Sequence, residues 1–394
     1  LFIAMITSAA ASLLILLIHT GVSLRSMITV QHNKGIHEVF ESAYLTDAVN
    51  YHQEVVDFAK RPVSTFLIQH FSRITHWSVG DSFVCINFFL LFLNGILLYV
   101  LSVRHFTTHR NALFNLLIYY SSFAILFSFF IPVYSYDEPV QYFFLFLTLI
   151  FYYENKLWLL IVSAFFALLA RETSILLLAG LALYHYTTNG WSLKFLLKFA
   201  VPVLLYGLYL HWFFSTHESL IDQLQSDSRS RLNALHNNFA DASYTIESIF
   251  ALLNTSILPV FFISCKMRRV QLDDKTIRWF QVFTVVLVAN ALLTYVFTQA
   301  REVRLFNLPF VLFYPYGYFI RDEITAICKR IKITALISKW QFWLVSITGV
   351  TVSYLLSCKL FQTTLGVDSD HLFNEYSFAV LIIVLFSALV NAIR

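Results

Sequence analysis

Apolar residues occur along this chain in long runs separated by short polar gaps. Twelve runs stand out, at 2–24, 82–103, 112–131, 139–153, 157–170, 173–187, 199–214, 246–264, 279–298, 305–320, 340–358 and 376–393. None keeps the strict two-residue alternation of a strand, so each predicts a helix. A helix needs about 20 apolar residues to cross the hydrocarbon core of a bilayer. The runs 139–153, 157–170 and 173–187 are shorter, which spreads the expected count over about 10–13 spans around a central twelve. Only helices and closed barrels satisfy their backbone hydrogen bonds in lipid. The pattern therefore predicts an all-α integral membrane protein, read as one polytopic domain over 1–394.

Three gaps are long enough to hold structure. The first, 25–81, carries two amphipathic stretches. In 43–60, Tyr44, Leu45, Ala48, Val49, Val55, Val56 and Ala59 recur at helical spacing, and Asp47, Asn50, Glu54 and Asp57 fall on the opposite face. Arg61-Pro62 breaks this helix. A second, 63–77, sets Val63, Phe66, Leu67, His70, Phe71, Ile74 and Trp77 on one side. Helices of this kind lie in the interface with the apolar face in lipid. The second gap, 215–245, is the most hydrophilic part of the chain, and the third, 359–375, is short and acidic.

Charge orients the runs. With the N-terminus cytoplasmic, the inner gaps hold 16 basic and five acidic residues, a net +11, and the outer side holds the remaining 11 basic and 18 acidic residues, a net −7. Lys and Arg bias of this kind sets topology. The chain's overall +4 conceals the division. With 58% hydrophobic and 13% charged residues, the composition excludes an ordinary soluble domain, and no nucleic-acid signature is present. Cys85, Cys265, Cys328 and Cys358 have neither metal-ligand nor redox spacing, and no disulfide is predicted. There is no P-loop and no GxGxxG. Ten glycines argue against GxxxG packing and against the broken helices of many transporters.

Ionisable residues at membrane depth are costly and mark candidate sites. Four clusters fall on the outer side: Asp47, with Glu54 two turns on; Asp137-Glu138-Pro139; Arg171-Glu172; and Arg301-Glu302-Val303-Arg304. Each also has a bland reading. Asp47 is one of four polar residues on a wetted helix face. Asp137-Glu138-Pro139 suits a helix N-terminus, where acids favour the dipole and Pro fits the first turn. Glu302 and Arg304 can simply pair as interfacial groups. Arg171-Glu172 interrupts an otherwise apolar stretch and is the sharpest of the four.

Leu45-Thr46-Asp47-Ala48-Val49-Asn50-Tyr51-His52, followed by Arg61-Pro62, resembles the first-loop pattern of the GT-C glycosyltransferases, which include the protein O-mannosyltransferases and the lipid A aminoarabinose transferase. Ser135-Tyr136-Asp137-Glu138-Pro139 is similar to the acidic motif that opens a later span in that family. Ala170-Arg171-Glu172-Thr173-Ser174 resembles an Arg-Glu-Thr run of bacterial members, and Glu302-Val303-Arg304 with Pro309 resembles a later E-x-R motif. Together these cover roughly 1–190 and 299–315. Many members carry an acidic pair in the first loop where this chain has one Asp, and the soluble C-terminal domain of the oligosaccharyltransferases has no counterpart here.

The resemblance implies transfer of a sugar from a polyprenyl-phosphate or diphosphate donor to an acceptor at the extracytoplasmic face, in a multi-pass protein of a bacterial inner membrane. It implies Asp47 as base, Arg171, Arg301 and Arg304 as phosphate ligands, and Asp137 and Glu138 as acceptor-orienting groups or metal ligands, with Glu54, Glu172 and Glu302 in support. A divalent metal is left open and is not required. The implied partners are the lipid-linked sugar, membrane lipid and, in one reading, subunits of a membrane complex. Two rival readings stand beside it: a transporter or flippase of a lipid-linked saccharide, and a non-catalytic membrane subunit.

Overall fold

The computed structural model describes residues 1–34, 42–126, 136–217, 233–330, 340–359 and 369–392. The described residues are helical, with no strand among them. The helices are α1 (Phe2–Lys34), α2 (Ser42–Glu54), α3 (Val56–Ala59), α4 (Pro62–Thr75), α5 (Val79–His105), α6 (His109–Ser121), α7 (Phe123–Leu126), α8 (Glu138–Tyr153), α9 (Leu157–Ala170), α10 (Ser174–Asn189), α11 (Leu193–Thr216), α12 (Ala234–Asn238), α13 (Ala242–Arg269), α14 (Asp274–Phe297), α15 (Phe310–Phe313), α16 (Tyr318–Arg330), α17 (Trp340–Tyr354) and α18 (Ser369–Ala392).

Four of them are long and apolar enough to cross a membrane: Val79–His105, Leu193–Thr216, Tyr244–Arg269 and Asp274–Phe297. Phe2–Ile18, Leu157–Ala170, Phe342–Ser357 and Phe373–Leu389 are shorter apolar helices. The chain thus has the character of a helical membrane protein. Of the twelve apolar runs, those four make helices that meet the length requirement among the described residues.

The centre of the bundle is α5, α6, α8 and α14 packed around the segment 303–316. The turn Glu154-Asn155-Lys156, with Asn155 at φ +56°, folds α8 and α9 into a hairpin, and α9 leans on α11. Gly95 of α5 faces the Tyr120 hydroxyl and Ser8 of α1, where a Cβ would lie about 2.1 Å from the tyrosine oxygen. That close approach seats α1 against α5, and Ser8 donates to or accepts from Tyr120 across the contact.

Sequence and structure part company over 305–320. This run predicts one span, yet it is built from a 3-10 turn at Val303–Phe306, the four-residue α15 and a second 3-10 turn at Tyr314–Tyr316. Pro309 and Pro315 supply no N–H and interrupt the ladder. Non-helical backbone at membrane depth must be buried in protein and hydrogen-bonded there. Phe306, Val311, Leu312 and Phe313 are fully buried. Asn290 Nδ2 donates to Leu305 O at 2.9 Å, Trp279 Nε1 to Leu312 O at 2.8 Å and Asn115 Nδ2 to Pro315 O at 2.7 Å. The backbone N–H of Tyr318 donates to Asn115 Oδ1 at 2.7 Å.

The gaps differ too. The first is shorter than 25–81, because α1 continues to Lys34 and α5 begins at Val79. α16 runs to Arg330 through the first part of the gap at 321–339. Within the 215–245 gap, 218–232 lie outside the described residues, as do 331–339 and 360–368.

Candidate functional site

The two amphipathic stretches form α2, α3 and α4, and a break between the first two decides what each side chain faces. Val55 is extended, at φ −89° and ψ 119°, so α2 stops at Glu54 and α3 restarts at Val56. Leu45 and Val49 of α2 pack with Ile68, Phe83 and Tyr136. Asp47 and Glu54 are left exposed on the other side. After the break the phase changes, and Asp57 turns inward until only 4% of it is exposed. α4 buries Val63 and Ile68 and exposes Phe66 and Ile74, and Trp77 just after it is exposed too. Arg61 stands immediately before Pro62, the first residue of α4.

Three further segments arrive at the same place. Asp137 and Glu138 open α8, whose start is tied to α5 by Asn94 Nδ2 donating to Pro139 O at 3.0 Å. Arg171 is extended between α9 and α10, at φ −161° and ψ 126°. Gln141 of α8 donates to Thr173 Oγ1 at 3.1 Å and Ser174 Oγ at 2.9 Å, which fixes that turn beside the α8 N-terminus. Glu302 and Arg304 come from the turn after α14.

These segments enclose a cavity of about 610 Å³. Its charged wall is Asp57, Arg61, Glu138, Arg171, Glu172, Glu302 and Arg304. Leu176 of α10, Leu293 and Phe297 of α14, and Leu305 and Leu308 of the 303–316 segment supply its apolar wall.

The charges are interlocked. Arg61 makes a bidentate pair with Glu172, Nη2 to Oε1 at 2.6 Å and Nε to Oε2 at 2.7 Å, and its Nη1 lies 3.5 Å from Asp137 Oδ2. Lys60 Nζ reaches Asp57 at 3.3 Å and Glu172 at 3.6 Å. Arg171 donates from Nη1 to Glu138, while its Nε–H is buried with no hydrogen-bond partner. Arg304 bonds Glu302 at 2.8 Å and lies 3.8 Å from Glu138.

Burial and these pairings move the titrations apart. Burial pushes the Asp137 carboxyl up to about 6, against the pull of Arg61. Burial would raise Glu172 too, but the Arg61 guanidinium overcomes it and holds the group at about 2. His52, stacked on Tyr136 at 3.6 Å between ring centroids, is pushed down to about 3 by burial and by Arg61, so its ring is neutral at physiological pH. Burial would lower the Arg61 and Arg304 guanidiniums, but Glu172 and Glu138 respectively hold them above the ordinary arginine range.

Of the nine residues singled out in sequence, Glu138, Arg171, Glu172, Glu302 and Arg304 line the cavity, and Asp137 touches Arg61 from just behind its wall. Three stand elsewhere. Asp47 and Glu54 are exposed on α2 and do not line it; Asp47 is one turn from Tyr51, which does. Arg301 faces α13, 3.7 Å from Glu247 and 4.2 Å from the centroid of the Tyr244 ring. Asp57, Lys60 and Arg61 belong to the site and were not among the nine. Their signal was a basic pair and a Pro following an acidic helix face.

Among the described residues, no three His, Cys, Asp or Glu side chains are grouped to hold a metal ion. Comparison with protein-family models, with curated proteins and with solved structures finds no match for this chain.

Proposed function

We propose that the chain is a glycosyltransferase of GT-C type, which moves a sugar from a polyprenyl-phosphate donor to an acceptor hydroxyl at the 610 Å³ cavity. One observation carries this reading. Ionisable groups from four separate segments, spaced over more than 240 residues between Asp57 and Arg304, meet around one cavity that also has an apolar wall. A lipid-linked phosphosugar has the matching halves: an isoprenoid next to an anionic head.

The chemistry assigns each group a task. The acceptor oxygen attacks the anomeric carbon and forms the new glycosidic bond. The bond from that carbon to the phosphate oxygen breaks, and the phosphate leaves with the electron pair. A carboxylate takes the acceptor's proton. On this reading Asp57 in the wall takes that proton, and Asp47, one turn before Tyr51 on α2, meets the acceptor. Arg171 offers its unpartnered Nε–H to the departing phosphate, with Arg304 beside it. Three guanidiniums and four carboxylates line the cavity, so their charges nearly cancel. A lining without surplus positive charge repels a diphosphate more than the single negative charge of a phosphodiester. On this reading the cavity opens to the extracytoplasmic side, as the positive-inside bias requires.

The test uses purified protein in vesicles with a radiolabelled polyprenyl-phosphate hexose, following release of polyprenyl phosphate and transfer of label. Asp57→Asn should lower turnover roughly 10²–10⁴-fold with donor binding retained. Arg171→Ala should weaken donor binding, and Asp47→Asn should cost less than Asp57→Asn. Movement of intact donor across the vesicle with no release identifies a transporter instead. Neither release nor donor binding leaves the reading without support, and the chain is then a non-catalytic subunit.

A further inference from the structure

A second cavity, of about 510 Å³, lies where the end of α13 meets α16 and the start of α6. It shares no lining residue with the first. Its wall holds Arg110 from the start of α6, Lys266 and Arg269 from the end of α13, and Arg321 and Lys329 from α16, with Asp322 as its one carboxylate.

The pairing inside it is incomplete. Lys266 Nζ bonds Asp322 Oδ2 at 3.0 Å, and Arg321 Nη2 bonds Asp322 Oδ1 at 2.9 Å, so two cations share one carboxylate. Arg269 is held by Glu323, with Nη2 to Oε1 at 2.6 Å. Arg110 and Lys329 are exposed and form no ion pair among the described residues. Five cations against Asp322 and Glu323 leave three positive charges in one concavity. Two of the cations are braced on aromatic rings: Lys266 sits 5.0 Å from the Phe319 centroid and Arg321 5.8 Å from that of Phe114.

Residues that only orient a membrane protein have to lie on one side of it. They gain nothing from convergence, because like charges in a concave site repel. Here three helices far apart in sequence deliver cations to one pocket. It lies at the end of α13, a helix long enough to span, and so at the level where lipid headgroups lie. Basic pockets between helix ends are suited to phosphate-bearing headgroups.

We propose that this cavity binds the phosphate group of an anionic ligand, with the headgroup of a membrane phospholipid as its source. Arg110 and Lys329 supply unpaired charge, and Lys266 and Arg321, already fixed by Asp322 and by their rings, supply oriented N–H donors. The site is independent of the glycosyl-transfer reading, since it shares no residue with the other cavity.

The test is lipid retention by the full chain in detergent, read by native mass spectrometry, with phosphatidylglycerol, phosphatidylcholine and glycerol phosphate as probes. Phosphatidylglycerol should be retained in preference to phosphatidylcholine. A cation at a headgroup site is worth about fivefold, so Arg110→Gln with Lys329→Gln should weaken retention roughly 30-fold. Thr325→Glu, which places a carboxylate in the same wall, should do likewise; Lys194→Gln, an exposed lysine outside the cavity, should change nothing. Melting of each lipid-free variant checks that it is folded. If millimolar glycerol phosphate displaces the lipid, the phosphate site stands and its source includes soluble phosphates; if it does not, the source is the headgroup. Equal retention of both lipids, undiminished retention by folded Arg110→Gln/Lys329→Gln and Thr325→Glu, or an equal loss in Lys194→Gln overturns the proposal.

Discussion

The Arg61–Glu172 pair permits a quantitative test of how the charged cavity is held together. Arg61 is 11% exposed at its side chain and contacts two carboxylates, Glu172 at 31% and Asp137 at 3%. Replacing Arg61 by Met keeps much of the side chain's apolar volume, removes the guanidinium beside Asp137 and leaves Glu172 only the Lys60 ammonium at 3.6 Å. Breaking a buried pair from one side costs about 3–5 kcal/mol. Water reaches Glu172 and relieves part of that, so the lower end, about 3 kcal/mol, applies here. Glu172→Gln is milder at about 1–2 kcal/mol, because Arg61 retains Asp137 at 3.5 Å. In the double variant the underpaired charge at position 172 is gone. Non-additivity of about 2 kcal/mol should therefore separate the double variant from the sum of the singles. The assay is a double-mutant cycle by denaturant titration of the protein in mild detergent. A coupling below about 0.5 kcal/mol is what a solvated surface pair gives, and it would refute a rigid ionic lattice lining the cavity.

Asp137→Asn tests the raised titration. A carboxyl whose native value is about 6 against an ordinary 3.8 holds its proton more tightly when folded, so its contribution to stability falls as pH rises from about 4 to 6 and is flat above. The stability of the parent relative to Asp137→Asn should fall by on the order of 1 kcal/mol between pH 5 and pH 7, measured by denaturant titration at both; a rise would contradict the assignment. Asn115→Ala removes the side chain that caps Pro315 O and Tyr318 N, and should cost about 2–3 kcal/mol in the same titration. An Asn115→Ala variant as stable as the parent would show that 303–316 is held by packing alone. For topology, a membrane-impermeant thiol reagent applied to cells should label Ser230→Cys and leave Thr276→Cys unlabelled, and the reverse result inverts the orientation.

Charge inside apolar sequence made much of the cavity legible, because an Arg-Glu step in a leucine-rich run has few inexpensive structural roles. Periodicity misled over Asp47 and Asp57. A continuous helix sets both on one wetted face, but extended Val55 resets the phase and sends only Asp57 inward. A backbone break at a β-branched residue leaves little trace in a hydropathy pattern. The segment 305–320 failed as a span for a related reason. Hydropathy sums residues, whereas the two prolines and an asparagine about 200 positions away decide the backbone's partners. Arg301 could not be told from Arg304 by spacing, since a 3-10 turn directs one to α13 and the other to the cavity. The inner cations were legible as a count, and their convergence required the fold.

The length of α9 ties this protein to the thickness of its membrane. Fourteen residues rise about 21 Å, against a hydrocarbon core of about 30 Å. The helix is no interior strut, for Trp158, Leu159, Val162 and Phe166 face outward, where lipid chains would meet them. If α9 crosses the bilayer, acyl chains beside so short a surface compress, at a fraction of a kcal/mol per Å of mismatch. The dimple so formed would lower the nearby headgroup plane toward Arg171, which ends the helix. A phosphate carried by a lipid could then reach that arginine without leaving its own leaflet, and bilayers of shorter acyl chains would favour the encounter.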